Sequence, residues 1–146
     1  MLRLNPLLRF NGQACAALGF YSEVFGGSLV VQTYADWAAA DPSADIAEAD
    51  LGLVVAGYLK TPSGFIIETV DWPAAEPVPV KNTAVSLSLE GDPANVNALT
   101  KVFTRLSEGA TNVTNFADTG MGFWFGSLVD KFGVTWEVAI NPSVGM

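Results

Sequence analysis

The sequence predicts an α+β protein that contains two copies of a βαβββ module. Short apolar runs, several of them alternating with polar residues, predict eight strands, each bounded by Gly, Pro, Asn or Asp. Two segments with helical spacing interrupt them, one after the first strand and one after the fifth. The order of strand, helix and three strands therefore occurs twice. The expected strands are 4–10, 28–35, 53–60, 65–70, 83–89, 111–117, 123–129 and 134–140.

Apolar residues three or four positions apart mark the two helices. The first helix carries Ala14, Ala17, Leu18, Tyr21, Val24 and Phe25, and the second carries Val96, Leu99, Val102, Phe103 and Leu106. Asp92 can accept hydrogen bonds from backbone N–H groups at the start of the second helix, where Pro93 needs no donor. Gly26, Gly27 and Gly109 are expected to end the two helices, because glycine readily adopts a positive φ.

Parts of the sequence repeat at matching places in the two expected modules. A shift of 69 residues lays Gly64 and Glu68 on Gly133 and Glu137, so each closing strand begins with Gly-x-x-x-Glu. A second shift, of 82 residues, lays Gly27 and 34–36 on Gly109 and 116–118. Two matches in equivalent positions favour a duplicated module.

The length of 146 residues suits a single domain of two fused modules. Module one is expected over about 3–70 and module two over about 83–142. Residues 71–82 hold three of the eight prolines and are expected to link the modules. A chain of this size can bury roughly 70% of its unfolded surface, which is enough for a core without disulfides.

The charge and the absence of histidine exclude several function classes. The net charge is −8, from 15 acidic and 7 basic side chains, and the pI is near 4.2. Such a chain repels nucleic-acid phosphates, so no nucleic-acid partner is expected. Without histidine it cannot carry Ser-His or Cys-His hydrolysis, and it lacks the commonest nitrogen ligand for transition metals.

The single cysteine and the hydropathy pattern indicate the cellular compartment of the protein. Cys15 cannot form an intramolecular disulfide or a multi-thiolate zinc site, which suits a reducing compartment. It lies in an alanine-rich apolar segment, so we expect a buried thiol. No apolar run approaches the roughly 18 residues of a membrane span, and no targeting segment is visible. We therefore expect a cytoplasmic protein with no membrane partner.

Two glutamates are the main candidate site residues. Side chains alternate along a strand, so Glu137 is expected on the face opposite Trp136 and Val138, and Glu68 alternates in the same way. Each module should therefore turn one carboxylate away from its apolar face. Either carboxylate could pair with Arg9, lie exposed in water, or act as a general base if the two are buried together.

Aromatic side chains are further candidates for ligand contact. The residues at 123–125 are Phe, Trp and Phe, and strand alternation prevents all three from sharing one face. Trp124 and Phe125 could stack on a ligand, or the run could fill the core on one side and a dimer interface on the other. Tyr58 could direct its hydroxyl to the same site, or lie half-buried in its strand.

Residues 36–50 form an acidic segment with no basic residue. Its acids are Asp36, Asp41, Asp45, Glu48 and Asp50. A solvated loop is the simplest interpretation. The alternative is a mobile flap whose negative potential attracts a cationic ligand, with Trp37 available for stacking. The spacing of the acids does not match an EF-hand calcium loop.

Three segments resemble a known protein family: NPLLRFNG at 5–12, ALGFYSEVFGG at 17–27 and FGSLVDKFGVTWEV at 125–138. They are similar to the PhnB-like branch of the vicinal oxygen chelate superfamily, which also includes glyoxalase I, bleomycin-resistance proteins and extradiol dioxygenases. The resemblance extends over about residues 4–142. It implies paired βαβββ modules that form a cup-shaped mixed sheet, usually in a homodimer, with a ligand or metal site inside the cup.

The resemblance also implies metal ligands, and this chain departs from that pattern. Glu137 falls where the metalloenzymes of the superfamily place the glutamate ligand of their final strand. The histidines of the two modules fall on Ala56 and near Ala84. Glu137 and Glu68 alone make a poor site for a transition metal without imidazole.

These features predict a metal-free homodimer that binds a small organic ligand, which could be cationic. The expected ligand contacts are Glu137, Glu68, Tyr58, Trp124, Phe125 and Arg9. No cofactor is expected. The alternative is a lyase, isomerase or dioxygenase that uses a divalent metal, with Glu137 as a ligand. If the protein is an enzyme, Glu137 and Glu68 are the candidate catalytic residues.

Overall fold

A computed structural model describes residues 1–75 and 85–141 of the chain. The chain divides into two compact units, Met1–Val80 and Lys81–Met146. The described residues form eight strands and three α-helices, with short 3-10 turns at Glu48–Asp50 and Pro93–Asn95. The elements are β1 (Leu7–Phe10), α1 (Ala14–Phe25), β2 (Ser28–Thr33), α2 (Tyr34–Ala40), β3 (Val54–Lys60), β4 (Ile66–Asp71), β5 (Leu87–Gly91), α3 (Val96–Leu106), β6 (Thr111–Asp118), β7 (Trp124–Val129) and β8 (Thr135–Ile140).

Each unit contains one four-stranded mixed sheet. The strand orders are β1-β4-β3-β2 and β5-β8-β7-β6, so the two sheets have the same topology. In each sheet the first strand pairs in parallel with the last, and the other neighbours are antiparallel. This arrangement confirms the predicted α+β fold of two βαβββ modules.

One long helix covers one face of each sheet. In module one, Leu18 and Tyr21 of α1 are fully buried, as is Leu59 of β3. In module two, Leu106 of α3 is fully buried, and Val138 of β8 is buried with it. The predicted helical faces are therefore confirmed, and α1 ends at its C-cap Gly26 as expected. In module two, Asp92 caps the 3-10 turn that leads into α3, and α3 ends at Leu106, before Gly109. The Asp92 carboxylate accepts the Ala94 N–H at 2.9 Å, and the glycines 26, 27 and 109 all have positive φ.

Two glycines allow each helix to approach its sheet closely. An added Cβ on Gly57 of β3 would lie 2.5 Å from the Leu18 side chain of α1. An added Cβ on Gly126 of β7 would lie 2.9 Å from the Phe103 ring of α3. Both distances are too short for real atoms, so the helix packing requires glycine at both positions. Gly57 and Gly126 are separated by the same 69 residues as Glu68 and Glu137, which extends the repeat into the core.

The expectation that Cys15 is buried is wrong. Cys15 is exposed on α1, although Ala14 and Ala17 beside it are fully buried. Successive residues of an α-helix are turned by about 100°, so the position after Ala14 leaves the buried face. The expectation of burial was based on the apolar residues around Cys15 and not on its position around the helix.

The expected strand over 28–35 ends early, because a helix begins there. Thr33 and Asp36 form a capping box: the Asp36 N–H donates to Thr33 Oγ1 at 3.2 Å, and the Thr33 N–H donates to the Asp36 carboxylate at 2.9 Å. This box starts α2, which the alanines that follow Trp37 extend. Residues 36–50 are therefore partly helical, and the expectation of a plain loop is wrong for 36–40.

The ends of several other expected strands also shift. The first strand begins at Leu7 rather than residue 4. The fifth extends over Leu87–Gly91, so the described residues 85 and 86 precede it, and residues 76–84 lie outside the described part of the chain. Residues 76–82 of the expected linker, and Ala84, also lie outside the described residues. None of the helices in the described ranges is long and apolar enough to cross a membrane.

Candidate functional site

The two candidate glutamates lie on the sheet faces that the helices leave uncovered. We call the face of each sheet opposite its long helix the open face. In β8, Glu137 is exposed between the buried Trp136 and Val138. In β4, Glu68 is partly exposed, and Thr69 next to it is fully buried. The predicted orientation of both carboxylates is therefore confirmed.

On the open face of module two, Glu137 is surrounded by hydroxyl groups. It pairs with Ser88 of β5 on one side and with Ser127 of β7 on the other. Thr114 of β6 pairs with Ser127. Residues paired in this way across neighbouring strands are called a row. Residues paired in this way have Cβ atoms roughly 5 Å apart, so one ligand group can reach several of them. The Glu137 side chain has no hydrogen bond or ion pair with the described residues.

The next row of the same face adds a second acid and an aromatic ring. Ala139 of β8 pairs with Glu90 of β5 and with Phe125 of β7. Glu90 is exposed and Phe125 is partly exposed. The described strands of this sheet contain no Arg or Lys. Carboxylates, hydroxyls and a ring therefore share a face to which the described strands contribute no positive charge.

Sequence reasoning missed Ser88, Ser127 and Glu90. Alternation within strand 83–89 separates Ser88 from Leu87 and Leu89, which is a usable signal. The missing information is the register, because only the pairing of β5 with β8 places Ser88 beside Glu137. The sequence alone does not specify that pairing.

The open face of module one has a different composition around Glu68. Its cross-strand neighbours are Leu7 of β1 and Tyr58 of β3, and Val30 of β2 lies beyond Tyr58. Glu68 and Tyr58 are thus brought together, as expected for candidates of one site. Tyr58 is 36% exposed, so its ring is accessible on this face.

Arg9 does not pair with Glu68. It lies in β1 opposite Val70, and its guanidinium carbon is 5.5 Å from the centre of the Trp72 ring. The Glu68 carboxylate makes no ion pair with any residue that the structure describes. The cation–π contact holds Arg9 toward the end of β4 instead.

Trp124 and Phe125 lie on opposite faces of β7. Trp124 pairs with the buried Ile140, and its ring centre is 5.4 Å from that of Phe116. Phe116 stacks in turn on Phe103 of α3 at 6.0 Å. Trp124 therefore belongs to the helix side of the sheet, and the structure brings only Phe125 to the same face as Glu137.

Some carboxylates of the acidic segment, residues 36–50, stabilise the local backbone by accepting hydrogen bonds. Asp36 caps α2, and the buried Asp50 accepts the Ala74 N–H at 3.1 Å. Trp37 is 45% exposed and its ring centre is 6.0 Å from that of Tyr34. Asp41 accepts the Ser43 N–H at 3.1 Å. The indole is available for contact, but three of the five acids accept hydrogen bonds from the backbone.

The residues present do not fit the catalytic metal site that the resemblance implies. The sequence has no histidine, and Ala56, where one is expected, lies in β3 opposite Gln32. The neighbours of Glu137 supply only hydroxyl oxygens. Within the described ranges, no group of three or more acidic or cysteine side chains could hold a metal ion. Transition metals prefer nitrogen or sulfur donors, which this set lacks.

Comparisons with known proteins identify the fold. No family model matches the chain, and no curated protein matches it. Among solved structures, the Pseudomonas aeruginosa protein PA1353 is 28% identical, with a TM-score of 0.74 over 97% of this chain and 98% of that one. A Bacillus cereus PhnB protein, which also carries a provisional 3-demethylubiquinone-9 3-methyltransferase name, is 21% identical, with a TM-score of 0.71 over 96% of this chain and 100% of that one.

A third structure has the same fold at lower identity. A Frankia glyoxylase/bleomycin resistance protein/dioxygenase domain is 14% identical, with a TM-score of 0.58 over 97% of this chain and 96% of that one. Together with the resemblance of the segments at 5–12, 17–27 and 125–138, these structures show that the chain has the fold of PhnB and of the glyoxalase/bleomycin resistance/dioxygenase proteins.

Proposed function

We propose that this chain is a homodimeric binding protein for a small organic cation and that it works without a catalytic metal. The observation that carries the proposal is the open face of module two. There, Glu137 lies between two serine hydroxyls, with Glu90 and Phe125 in the next row. The module-one candidates Glu68 and Tyr58 offer a second carboxylate beside a ring and remain part of the proposal.

The charge distribution favours a cationic ligand. Glu137 and Glu90 lie diagonally across β5 and β8, and no Arg or Lys in these strands offsets them. A bound cation would reduce the repulsion between the two carboxylates and would gain a charge-assisted hydrogen bond to Glu137. The ring of Phe125 can contribute a cation–π contact. Ser88 and Ser127 can accept further N–H groups from the ligand.

A metal-dependent lyase, isomerase or dioxygenase is the competing function, and the donor set disfavours it. Glu137 is the only carboxylate in its row, and Glu90 reaches the row only diagonally. Oxygen donors of this kind suit Mg²⁺ or Ca²⁺, and such sites collect six or more ligands. The methyltransferase name belongs to the Bacillus cereus protein. In this chain the β1–α1 connection, Asn11–Gln13, has no glycine-rich loop for a nucleotide-like cofactor.

The edge strand of module one supports the homodimer part of the proposal. β2 pairs only with β3 in its sheet, which leaves its other edge free in the described part of the chain. Leu29, Val30 and Val31 of this strand are 44%, 51% and 37% exposed. Exposed apolar edge strands are unfavourable in a monomer and are commonly covered by a partner.

A thermal-shift screen tests the proposed ligand class. We expect organic amines with an aromatic group, such as phenethylamine, to raise the melting temperature of the full-length protein. At one hundred times Kd the gain is about 2.7 kcal/mol, or roughly 5–10 °C. The uncharged analogue 2-phenylethanol is the matched control and should have little effect. Equal stabilisation by both compounds, or none by any amine in a broad panel, would argue against a cation site.

Light scattering on the same sample tests the assembly. A mass of two chains at micromolar concentration is expected, and a monomer would contradict the homodimer.

A further inference from the structure

Module one contains a cavity of about 500 Å³ whose lining residues all belong to that module. It lies between the N-terminal segment and the hairpin that joins β3 to β4. Its main lining residues are Arg3, Asn5, Lys60, Thr61, Phe65 and Ile66. Sites for small organic ligands commonly have volumes of roughly 300–1,000 Å³, so the cavity is large enough for one.

The charge of this cavity is opposite to that of the protein. Arg3 and Lys60 both line it, and its lining contains no carboxylate. The whole chain has only 7 basic residues against 15 acidic ones, so two unopposed cations in one cavity are unusual. Neither side chain forms an ion pair within the described ranges, where the recorded ion pair joins Lys131 to Glu108.

The hairpin side of the cavity is held in place by local contacts. The Thr61 N–H donates to the Phe65 carbonyl at 3.0 Å, and the Gly64 N–H donates to the Thr61 carbonyl at 3.0 Å. The Phe65 ring packs edge-to-face against Phe25 of α1, with centres 5.2 Å apart. A fixed wall loses little entropy when a ligand binds, which favours binding.

We propose that this cavity binds a small organic anion, a carboxylate or phosphate monoester with an apolar body. The guanidinium of Arg3 matches the two oxygens of such a group, and the Lys60 ammonium adds a second positive charge. Phe65 and Ile66 provide the apolar surface for the rest of the molecule. The ligand has the opposite charge to the one proposed for module two, so the two sites are tested separately.

Nuclear magnetic resonance titration of the full-length protein with phenylacetate and with phenyl phosphate tests this site. The backbone amides of Thr61, Gly64 and Phe65 should shift in a saturable manner with at least one of the two probes. Comparison of the two affinities shows whether a carboxylate or a phosphate is preferred. The neutral analogue 2-phenylethanol and inorganic phosphate alone should bind at least about tenfold more weakly, because each lacks one half of the recognised chemistry.

Charge-removing variants identify the residues that bind the anion. Arg3→Gln and Lys60→Gln should each weaken probe binding by about tenfold, which is the loss of one charge-assisted hydrogen bond. Both side chains are exposed, so the variants should fold normally. Lys101→Gln, an exposed change on α3, is the matched control and should bind like the wild type. The proposal is overturned if neither probe shifts these amides, or if Lys60→Gln and Arg3→Gln both bind as tightly as Lys101→Gln.

Discussion

Replacement of Asp71 by alanine is expected to lower the free energy of unfolding by about 3–4 kcal/mol. Asp71 is the last residue of β4 and is only 1% exposed. One carboxylate oxygen accepts the N–H groups of Gly12 and Ala14 at 2.8 and 3.0 Å, and the other accepts the Val54 N–H at 3.0 Å. The side chain thus joins the start of α1 and the start of β3 to the end of β4. Alanine would leave three N–H donors without this acceptor.

Urea unfolding at neutral pH measures this effect. Asp71→Asn should be destabilised less than Asp71→Ala, because one side-chain oxygen remains as an acceptor. Asp45→Ala removes an exposed aspartate of the same module and should change the free energy by less than about 0.5 kcal/mol. A loss below about 1 kcal/mol for Asp71→Ala would show that the carboxylate does not hold these elements together.

Replacement of Asp130 by alanine is expected to cost about 2–4 kcal/mol. Asp130 is 3% exposed in the turn between β7 and β8. Its Oδ1 accepts the N–H groups of Phe132 and Val134, and its Oδ2 accepts the indole N–H of Trp136 at 2.9 Å. The turn that precedes Glu137 and the buried indole next to it therefore depend on the same carboxylate.

A double-mutant cycle with Trp136→Phe isolates the indole hydrogen bond. Asp130→Ala should cost less in the Trp136→Phe background, because the buried indole donor is then absent. The equivalent residue of module one, 69 positions earlier, is Thr61, whose hydroxyl donates only to the Phe65 carbonyl at 2.9 Å. Thr61→Ala should therefore cost only about 1 kcal/mol. Equal costs for Thr61→Ala and Asp130→Ala would contradict the role assigned to the carboxylate.

The fold could be predicted from the sequence because each module repeats strong local signals. Alternation placed Glu137 and Glu68 opposite the core, and helical spacing identified the buried faces of α1 and α3. The predicted end of the second strand was wrong, because the start of a helix at Tyr34 was not recognised. Thr33 and Asp36 are a recognisable capping box, but the alternating strand before them hid the start of α2.

The candidate site was less predictable because it depends on register between distant strands. Ser88 and Ser127 become neighbours of Glu137 only through the pairing of β8 with β5 and β7. Strand alternation separates Trp124 from Phe125, but the pairing with Ile140 decides which of them lies on the helix side of the sheet. The roles of Asp71 and Asp130 were also hidden, because an aspartate at the end of a strand is indistinguishable in sequence from a solvated turn residue.

Titration calorimetry with phenethylamine in the presence of excess EDTA tests the central claim most directly. We expect saturable binding to the wild-type protein that EDTA does not change. Glu137→Gln should weaken this binding about tenfold or more, because the charge-assisted hydrogen bond is lost. Glu108→Gln makes the same change at an exposed position of module two outside the strands and should bind like the wild type. Binding that disappears in EDTA, or that Glu137→Gln leaves unchanged, would contradict a metal-independent cation site at Glu137.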